Sequence, residues 1–355
     1  MRAKGALGLV AALPALAGCP SYDDSYVPRD ASLADVEPPR DVGAGDGGAG
    51  PPEAAVCDGG CEGGGCNAGV CGPLPTLVAS GFPTPSAIAV DATNLYVTAN
   101  GTSGGVLVAI PLAGGPPAML ASEGRKLIKV AVDGTRVYWG AHDQANVWSV
   151  LAVPLAGGPP QTLASGITTS VLNLAVAPSG VYAADFDHAS ILRIPLDGGA
   201  PAPFASGQAS SIAVTARTAY WADVSGRLVA APTAGGAPVP LATQQAGISA
   251  VAVDTAAVYW ATAGTEDGGY AGGVFALGAD AAAPVLLAPA SYAFGLAAGG
   301  ANIYWRAYVL DVFEVPKSGG PARMIASGQS IVDLSADDAF VYWANTDGTI
   351  WKQAR

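Results

Sequence analysis

A tyrosine returns seven times in one local context, at Tyr96, Tyr138, Tyr182, Tyr220, Tyr259, Tyr304 and Tyr342, with gaps of 42, 44, 38, 39, 45 and 38 residues. Five of these are followed by tryptophan, at Trp139, Trp221, Trp260, Trp305 and Trp343. A period of this size marks one supersecondary unit repeated along the chain, each copy burying its apolar faces on its neighbours. The second copy shows the unit: apolar runs at 126–133, 136–140, 146–155 and 161–165, separated by turn residues that include Gly157 and Gly158. Runs this short, bounded by Gly, Pro and Asp, read as strands, and no stretch carries a helical period.

Aligning the copies exposes columns. Upstream of each tyrosine stands Asp91, Asp133, Ala177, Thr215, Asp254, Gly299 or Asp337, a set suited to a tight turn between the first two strands. Two residues earlier the column is small: Ala89, Ala131, Ala175, Ala213, Ala252, Ala297 and Ser335. One residue before that it is bulky: Ile88, Val130, Leu174, Ile212, Val251, Leu296 and Leu334. A strand sends alternate side chains to opposite faces, so the first strand of each copy has a small face and a large one. Sheets converging on a common axis need that pairing. The expected fold is therefore all-β, a seven-bladed β-propeller of four-stranded antiparallel blades. Residues 73–355 shared among seven copies give about 40 each, the length such a blade requires. Because both faces of a blade are covered, a chain with 50% hydrophobic and only 12% charged residues needs no membrane span.

The two ends of the repeat region complement each other. The last copy stops after a third strand, 349–353, while residues 75–81 resemble fourth strands such as 161–166 with no copy before them. The amino-terminal strand is expected to complete the last blade and close the ring.

The segment before the repeats divides into three parts. Residues 1–18 carry two positive charges and then an apolar run too short to span a bilayer, the pattern of an export signal. Leu16-Ala17-Gly18-Cys19 resembles the lipobox of bacterial lipoproteins, which implies lipidation of Cys19 and a membrane partner. In that family an aspartate after the cysteine favours inner-membrane retention; Pro20 stands there instead, implying the outer membrane or cell surface. Residues 19–56, rich in Pro, Gly and Ala, cannot bury enough surface to offset ordering and are expected to form a tether. A Gly-x-Gly-x-x-Gly match at 45–50 follows no strand and opens no helix, so it is low-complexity sequence. Residues 57–72 hold Cys57, Cys61, Cys66 and Cys71. Two disulfides are expected there, with three pairings open; a four-thiolate zinc site is the rival, disfavoured by the lack of Cys-x-x-Cys knuckles.

In the fourth copy Tyr220-Trp221-Ala222-Asp223, followed by Gly226-Arg227-Leu228 and Gly235-Gly236, resembles the Tyr-Trp-Thr-Asp propeller repeats of lipoprotein-receptor ectodomains. The chain is also similar to bacterial extracytoplasmic propellers with Val-Tyr-Trp and Pro-Leu-x-Gly-Gly signatures. Both resemblances concern the scaffold. Copy four alone is read as keeping the motif aspartate; copy seven has Asn345, and copies one and three lack the tryptophan.

The formal charge of −12 excludes a nucleic-acid partner, which needs a basic surface. No nucleophile elbow, His-Glu-x-x-His motif or phosphate loop occurs, and the chain has two histidines. His142 with Asp143, and Asp185 and Asp187 with His188, fall in the second-to-third-strand loops of adjacent blades, where a divalent metal competes with plain loop polarity. At the entry to the inner strands, near the channel mouth, Lys129, Asn173, Ser211 and Asp333 are expected as ligand contacts, with solvation of a wet channel as the rival; Asp223, and Glu266 and Asp267 of a long loop on the same face, are further ligand-binding candidates. No cofactor or resident metal is expected. The shortage of catalytic groups favours a monomeric, non-enzymatic binding or scaffolding module for a protein, peptide or glycan. The rival reading is an extracytoplasmic hydrolase or lyase with a loop-face metal site.

Overall fold

The computed structural model describes residues 65–67, 70–167, 171–185, 188–245, 247–264, 272–308 and 310–354. Cys19, Cys57, Cys61 and the tether lie outside the described residues. Contacts divide the chain after Gly72. In the first unit two short strands, Gly65–Asn67 and Val70–Gly72, pair antiparallel, with the backbone of Cys66 opposite that of Cys71.

The second unit is the expected seven-bladed propeller, each blade a four-stranded antiparallel sheet. Blade 2 comprises Lys126–Val132, Arg136–His142, Trp148–Pro154 and Gln161–Ile167, within two residues of the runs read from sequence. The other inner strands are Pro85–Val90, Val171–Ala177, Ala209–Val214, Ile248–Val253, Ala293–Gly299 and Ile331–Ala336. Each touches the inner strands on both sides, blade 7 meeting blade 1. Closure is as expected: Thr76–Ala79 pairs with Ile350–Ala354 as the fourth strand of blade 7, Thr76 opposite Lys352.

The register explains the sequence columns. Every small inner-strand residue stands opposite the tyrosine of its blade, as in Ala89 with Tyr96, Ala131 with Tyr138 and Ser335 with Tyr342. Every bulky one stands opposite the tryptophan position, as in Val130 with Trp139 and Leu334 with Trp343. Each blade thus has a tyrosine face and a tryptophan face. Among the described residues seven apolar clusters form, one per interface, and each joins the tyrosine face of one blade to the tryptophan face of the next. Tyr259 meets Trp305, Tyr304 meets Trp343, and at the closing interface Tyr342 meets Val97. Where blade 3 has Ala183 in the tryptophan column, Trp148 of blade 2 enters the same cluster. Truncating a fully buried aromatic here, such as Trp305, removes about 3–5 kcal/mol.

The aspartate column does more than turn the chain. In blade 2, Asp133 Oδ1 accepts the amide protons of Thr135 and Arg136, while Oδ2 accepts the hydroxyl of the buried Tyr138 at 2.7 Å. Asp91, Asp254 and Asp337 repeat this clamp on Tyr96, Tyr259 and Tyr342. One carboxylate therefore closes the hairpin and satisfies a hydroxyl that burial has removed from water. Burial alone would raise the Asp133 carboxyl; hydrogen bonds from Thr135, Tyr138 and Arg136 outweigh it and hold the group below its usual value. The same balance lowers Asp91, and at Asp254 the Lys317 ammonium and the Ala256 and Ala257 amides outweigh burial. Tyr138 moves the other way, to about 12, through burial and the adjacent carboxylate.

Each outer strand has a free edge, and a proline stands one or two residues ahead of every one, from Pro75 before Thr76 to Pro321 before Arg323. Proline cannot extend the ladder, which blunts the rim against edge-to-edge pairing.

Two outcomes follow from this architecture. Deleting residues 73–81 leaves blade 7 with three strands and lowers the melting temperature by many degrees; an unchanged melt refutes closure by this strand. Asp133→Ala, which strands the Tyr138 hydroxyl, costs about 2–3 kcal/mol in denaturant unfolding, Tyr138→Phe about 1, and the double variant less than their sum. Because the folded Asp133 value is depressed, its stabilisation is present above the unfolded value near pH 4 and is lost as pH falls through the folded one. Asp133→Ala therefore flattens the acid limb of a pH-melting profile.

Candidate functional site

The inner strand of each blade starts, and the second strand ends, on the same face of the ring, here called the mouth face. At that end every inner strand carries a register irregularity. In blades 1, 4 and 5 the bulged residue is a serine: Ser86, Ser210 and Ser249 hand their hydroxyl protons to the carbonyls of Leu127, Ile248 and Ala293, the adjoining blades' inner strands or their entry. In the Ser210 case the acceptor lies in blade 5.

Three of the four expected mouth residues work between blades in the same way. Ser211 Oγ accepts the Val251 amide at 3.0 Å and the Asn173 Nδ2 proton at 3.4 Å, linking blades 3, 4 and 5. Asp333 accepts the Leu334 amide on one oxygen and the Ile88 amide of blade 1 on the other. Lys129 makes no hydrogen bond or ion pair among the described residues, and its inner-strand side chain is half-buried.

The loop candidates close their own loops. Asp143 Oδ1 accepts the amides of Ala145 and Val147, and His142 stacks on Trp148 at 4.9 Å. Asp185 accepts the His188 amide, and the His188 Nδ1 lies 3.4 Å from its carboxylate. No hydrogen bond or ring contact joins His142 to His188 among the described residues, and no group of three metal-ligating side chains forms there. Asp187, Glu266 and Asp267 lie outside the described residues. Asp223 accepts from Ser225, the Arg227 amide and the Arg227 guanidinium. The register corrects one sequence reading: Asp185, opposite Val171, occupies the same motif position as Asp223, opposite Ala209, so blade 4 is not alone in keeping the aspartate. Blade 3 hides it by having Ala183 in place of tryptophan.

Blade 6 holds what the sequence reading missed. Two residues after the tyrosine the other blades have Thr98, Gly140, Ala184, Ala222, Ala261 or Ala344; blade 6 has Arg306. Its Nη1 donates to the carbonyls of Tyr308 at 3.4 Å and of Ile331, the first inner-strand residue of blade 7, at 3.3 Å. The guanidinium lies 5.9 Å from the centre of the Phe294 ring. Burial lowers the Arg306 pKa from its ordinary value, and the Asp333 carboxylate opposes that. Nearby, Tyr292 and Tyr308 stack with centroids 4.2 Å apart. Asp311, in register with Ala307, is raised above the usual carboxylate range by burial, with a Gly328 hydrogen bond opposing. An odd member in an otherwise small column was the signal available in the sequence.

Backbone strain separates the two faces. Among the described residues five non-glycine residues have left-handed φ: Asn146, Ala189, Gln244, Tyr292 and Tyr308. All five lie in mouth-face loops, beside left-handed glycines such as Gly226 and Gly348, whereas the described left-handed positions of the opposite face are all glycines, such as Gly157 and Gly158. Holding the alanine, glutamine and tyrosines there costs about 1–3 kcal/mol each, whereas asparagine tolerates the region. The opposite face has an open cleft of about 810 Å³ between blades 4 and 5, lined by Tyr220, Arg217 and Asp254 among others.

The fold defines this protein as a seven-bladed β-propeller. No family model matches the chain, and no curated protein matches it in sequence. Solved structures of similar shape include virginiamycin B lyase from Staphylococcus aureus, at 10% identity, TM-score 0.64, covering 79% of this chain and 98% of that one. BamB from Moraxella catarrhalis is similar at 14% identity and TM-score 0.56, covering 79% of this chain and 97% of that one. PorZ, a surface component of the type-IX secretion system of Porphyromonas gingivalis, is similar at 13% identity and TM-score 0.57, covering 79% of this chain and 39% of that one. These likenesses are of fold.

The partners of His142 and His188 predict that adding calcium, manganese or zinc leaves the melting temperature of the full chain unchanged. A rise of several degrees with one ion, lost in His188→Ala, would establish a metal site instead.

Proposed function

We propose that this chain is a lipid-anchored, extracytoplasmic binding or scaffolding module that engages a protein, peptide or glycan through the mouth face of its propeller. The observation that carries the reading is the concentration of strained, non-glycine loop residues on that face. The opposite face places only glycine at its described left-handed positions, whereas the mouth face mixes glycine with tyrosine, glutamine, alanine and asparagine, a cost in stability that supports a role for that face besides folding. His142, Asp143, Asp185 and His188 support binding rather than turnover, because their described contacts lie within their own loops.

In this reading residues 1–18 are an export signal, Cys19 carries lipid, residues 19–56 are the tether and 57–72 a disulfide-stapled segment before the propeller. Similarity in shape to the surface component PorZ supports an extracytoplasmic setting, here proposed as the outer membrane or cell surface. The protein acts as a monomer with no nucleic-acid partner. A second reading, an extracytoplasmic lyase or hydrolase, draws support from the likeness to virginiamycin B lyase.

The discriminating experiment screens the full chain on glycan and peptide arrays and against lyase and hydrolase substrates, beside His142→Ala and His188→Ala. Binding that both variants retain, with the ligand recovered intact, is expected. Turnover abolished by either substitution would establish the enzyme reading. Cys19→Ser is expected to move the protein from the membrane to the soluble fraction; unchanged membrane association would refute the anchor.

A further inference from the structure

A repeat protein carries its own control, since residues that hold the ring recur in every blade and residues that serve a ligand need not. Blade 6 departs from the repeat in three ways at one place. First, its inner strand is paired differently. In blades 1, 3, 4, 5 and 7 the second bulge residue is paired, as Ser211 with Ala222 or Asp333 with Ala344. In blade 6 Phe294 pairs with Arg306 and Gly295 is left unpaired. Gly295 has φ +56°, and a Cβ there would sit 3.3 Å from Arg306 Nε. A left-handed glycine bulge of this kind re-aims the neighbouring side chain, and here it makes room for a long one.

Second, Arg306 has donors to spare. The bond to the Ile331 carbonyl does the work that a serine hydroxyl does in other blades, and Nη1 alone supplies it. Nε and Nη2 have no hydrogen-bond acceptor among the described residues. Asp333, the nearby carboxylate, already accepts two backbone amides. Third, Tyr292 and Tyr308 both hold left-handed φ, at 54° and 52°, joined by a hydrogen bond from the Tyr308 amide to the Tyr292 carbonyl. The two half-buried phenol rings stack on each other, and the Tyr308 backbone carbonyl accepts from Arg306 Nη1.

We propose that the blade 6 mouth is a subsite for an acidic sugar, a uronic acid residue of a glycan, with Arg306 taking the carboxylate and the Tyr292–Tyr308 pair the apolar face of the ring. The planar guanidinium fork matches a carboxylate with two parallel hydrogen bonds, which a lysine does not reproduce. Tyrosine offers a rigid apolar body with a polar tip, suited to a sugar that is apolar on its faces and hydroxylated at its edges. The inference rests on the binding-module reading and narrows it to one ligand class.

The test is calorimetric titration of the full chain with trigalacturonic acid, its fully methyl-esterified form and a blocked glutamate-rich tripeptide, at fixed ionic strength. The expected result is saturable binding of trigalacturonic acid alone, weakened at least tenfold by Arg306→Gln and less by Arg306→Lys. Because Arg306 also bridges to blade 7, Tyr308→Asn is measured in parallel: asparagine tolerates left-handed φ, so the ring is removed while the loop conformation is kept. It too is expected to weaken binding tenfold, with little change in melting temperature. Equal binding of acid and methyl ester, preference for the peptide, indifference to both substitutions, or no binding of trigalacturonic acid would each overturn the proposal. A different ligand bound on the arrays would still uphold the binding module, whereas histidine-dependent turnover would remove the reading beneath it.

Discussion

The fit of one blade's tyrosine face against the next blade's tryptophan face is the contact on which the rest of the molecule depends. It recurs at all seven interfaces, and it works because alanine or serine stands opposite each tyrosine near the axis. Small residues there let neighbouring sheets approach; bulk on the other face fills the wedge that opens outward. The aspartate clamp follows from this packing. Burying a phenol between sheets requires an acceptor for its proton, and the turn aspartate supplies one in four blades. Where no aspartate is present the solution varies: Tyr182 shares a hydrogen bond with Ser179 and donates to the Thr233 carbonyl of the next blade.

Much of this was legible in the chain because repetition averages out local ambiguity. A single run such as Lys126–Val132 could be misread; seven aligned copies show which side chains alternate, and closure followed from the unmatched ends. The carboxylate-to-phenol bond was not legible, since the spacing that suits a turn also suits the clamp and sequence does not reveal which oxygen faces which group. Nor were the bulges. An extra residue per inner strand shifts the facing of everything before it, so the engagement of Asn173, Ser211 and Asp333 with neighbouring blades was hidden.

The departures from the repeat were obscured for a related reason. Searching for recurring patterns finds the scaffold and discards exceptions as noise, which is how Arg306 escaped attention although its column is otherwise small. The motif aspartate of blade 3 was missed through the converse error: absence of the tryptophan at Ala183 masked a position that the backbone register shows to be equivalent. In a toroid of near-identical sectors, symmetry identifies what folds, and its local failure identifies where to look for recognition.

The strand that fastens the ring is made early and matched late. Thr76 hydrogen-bonds to Lys352, 276 positions further along the chain. At roughly 5–20 residues per second, a nascent chain would display this segment without its mate for tens of seconds. Four residues of strand with a proline at the entrance offer little for a stray polypeptide to zip onto during that wait. The brevity of the latch thus doubles as a safeguard during biogenesis.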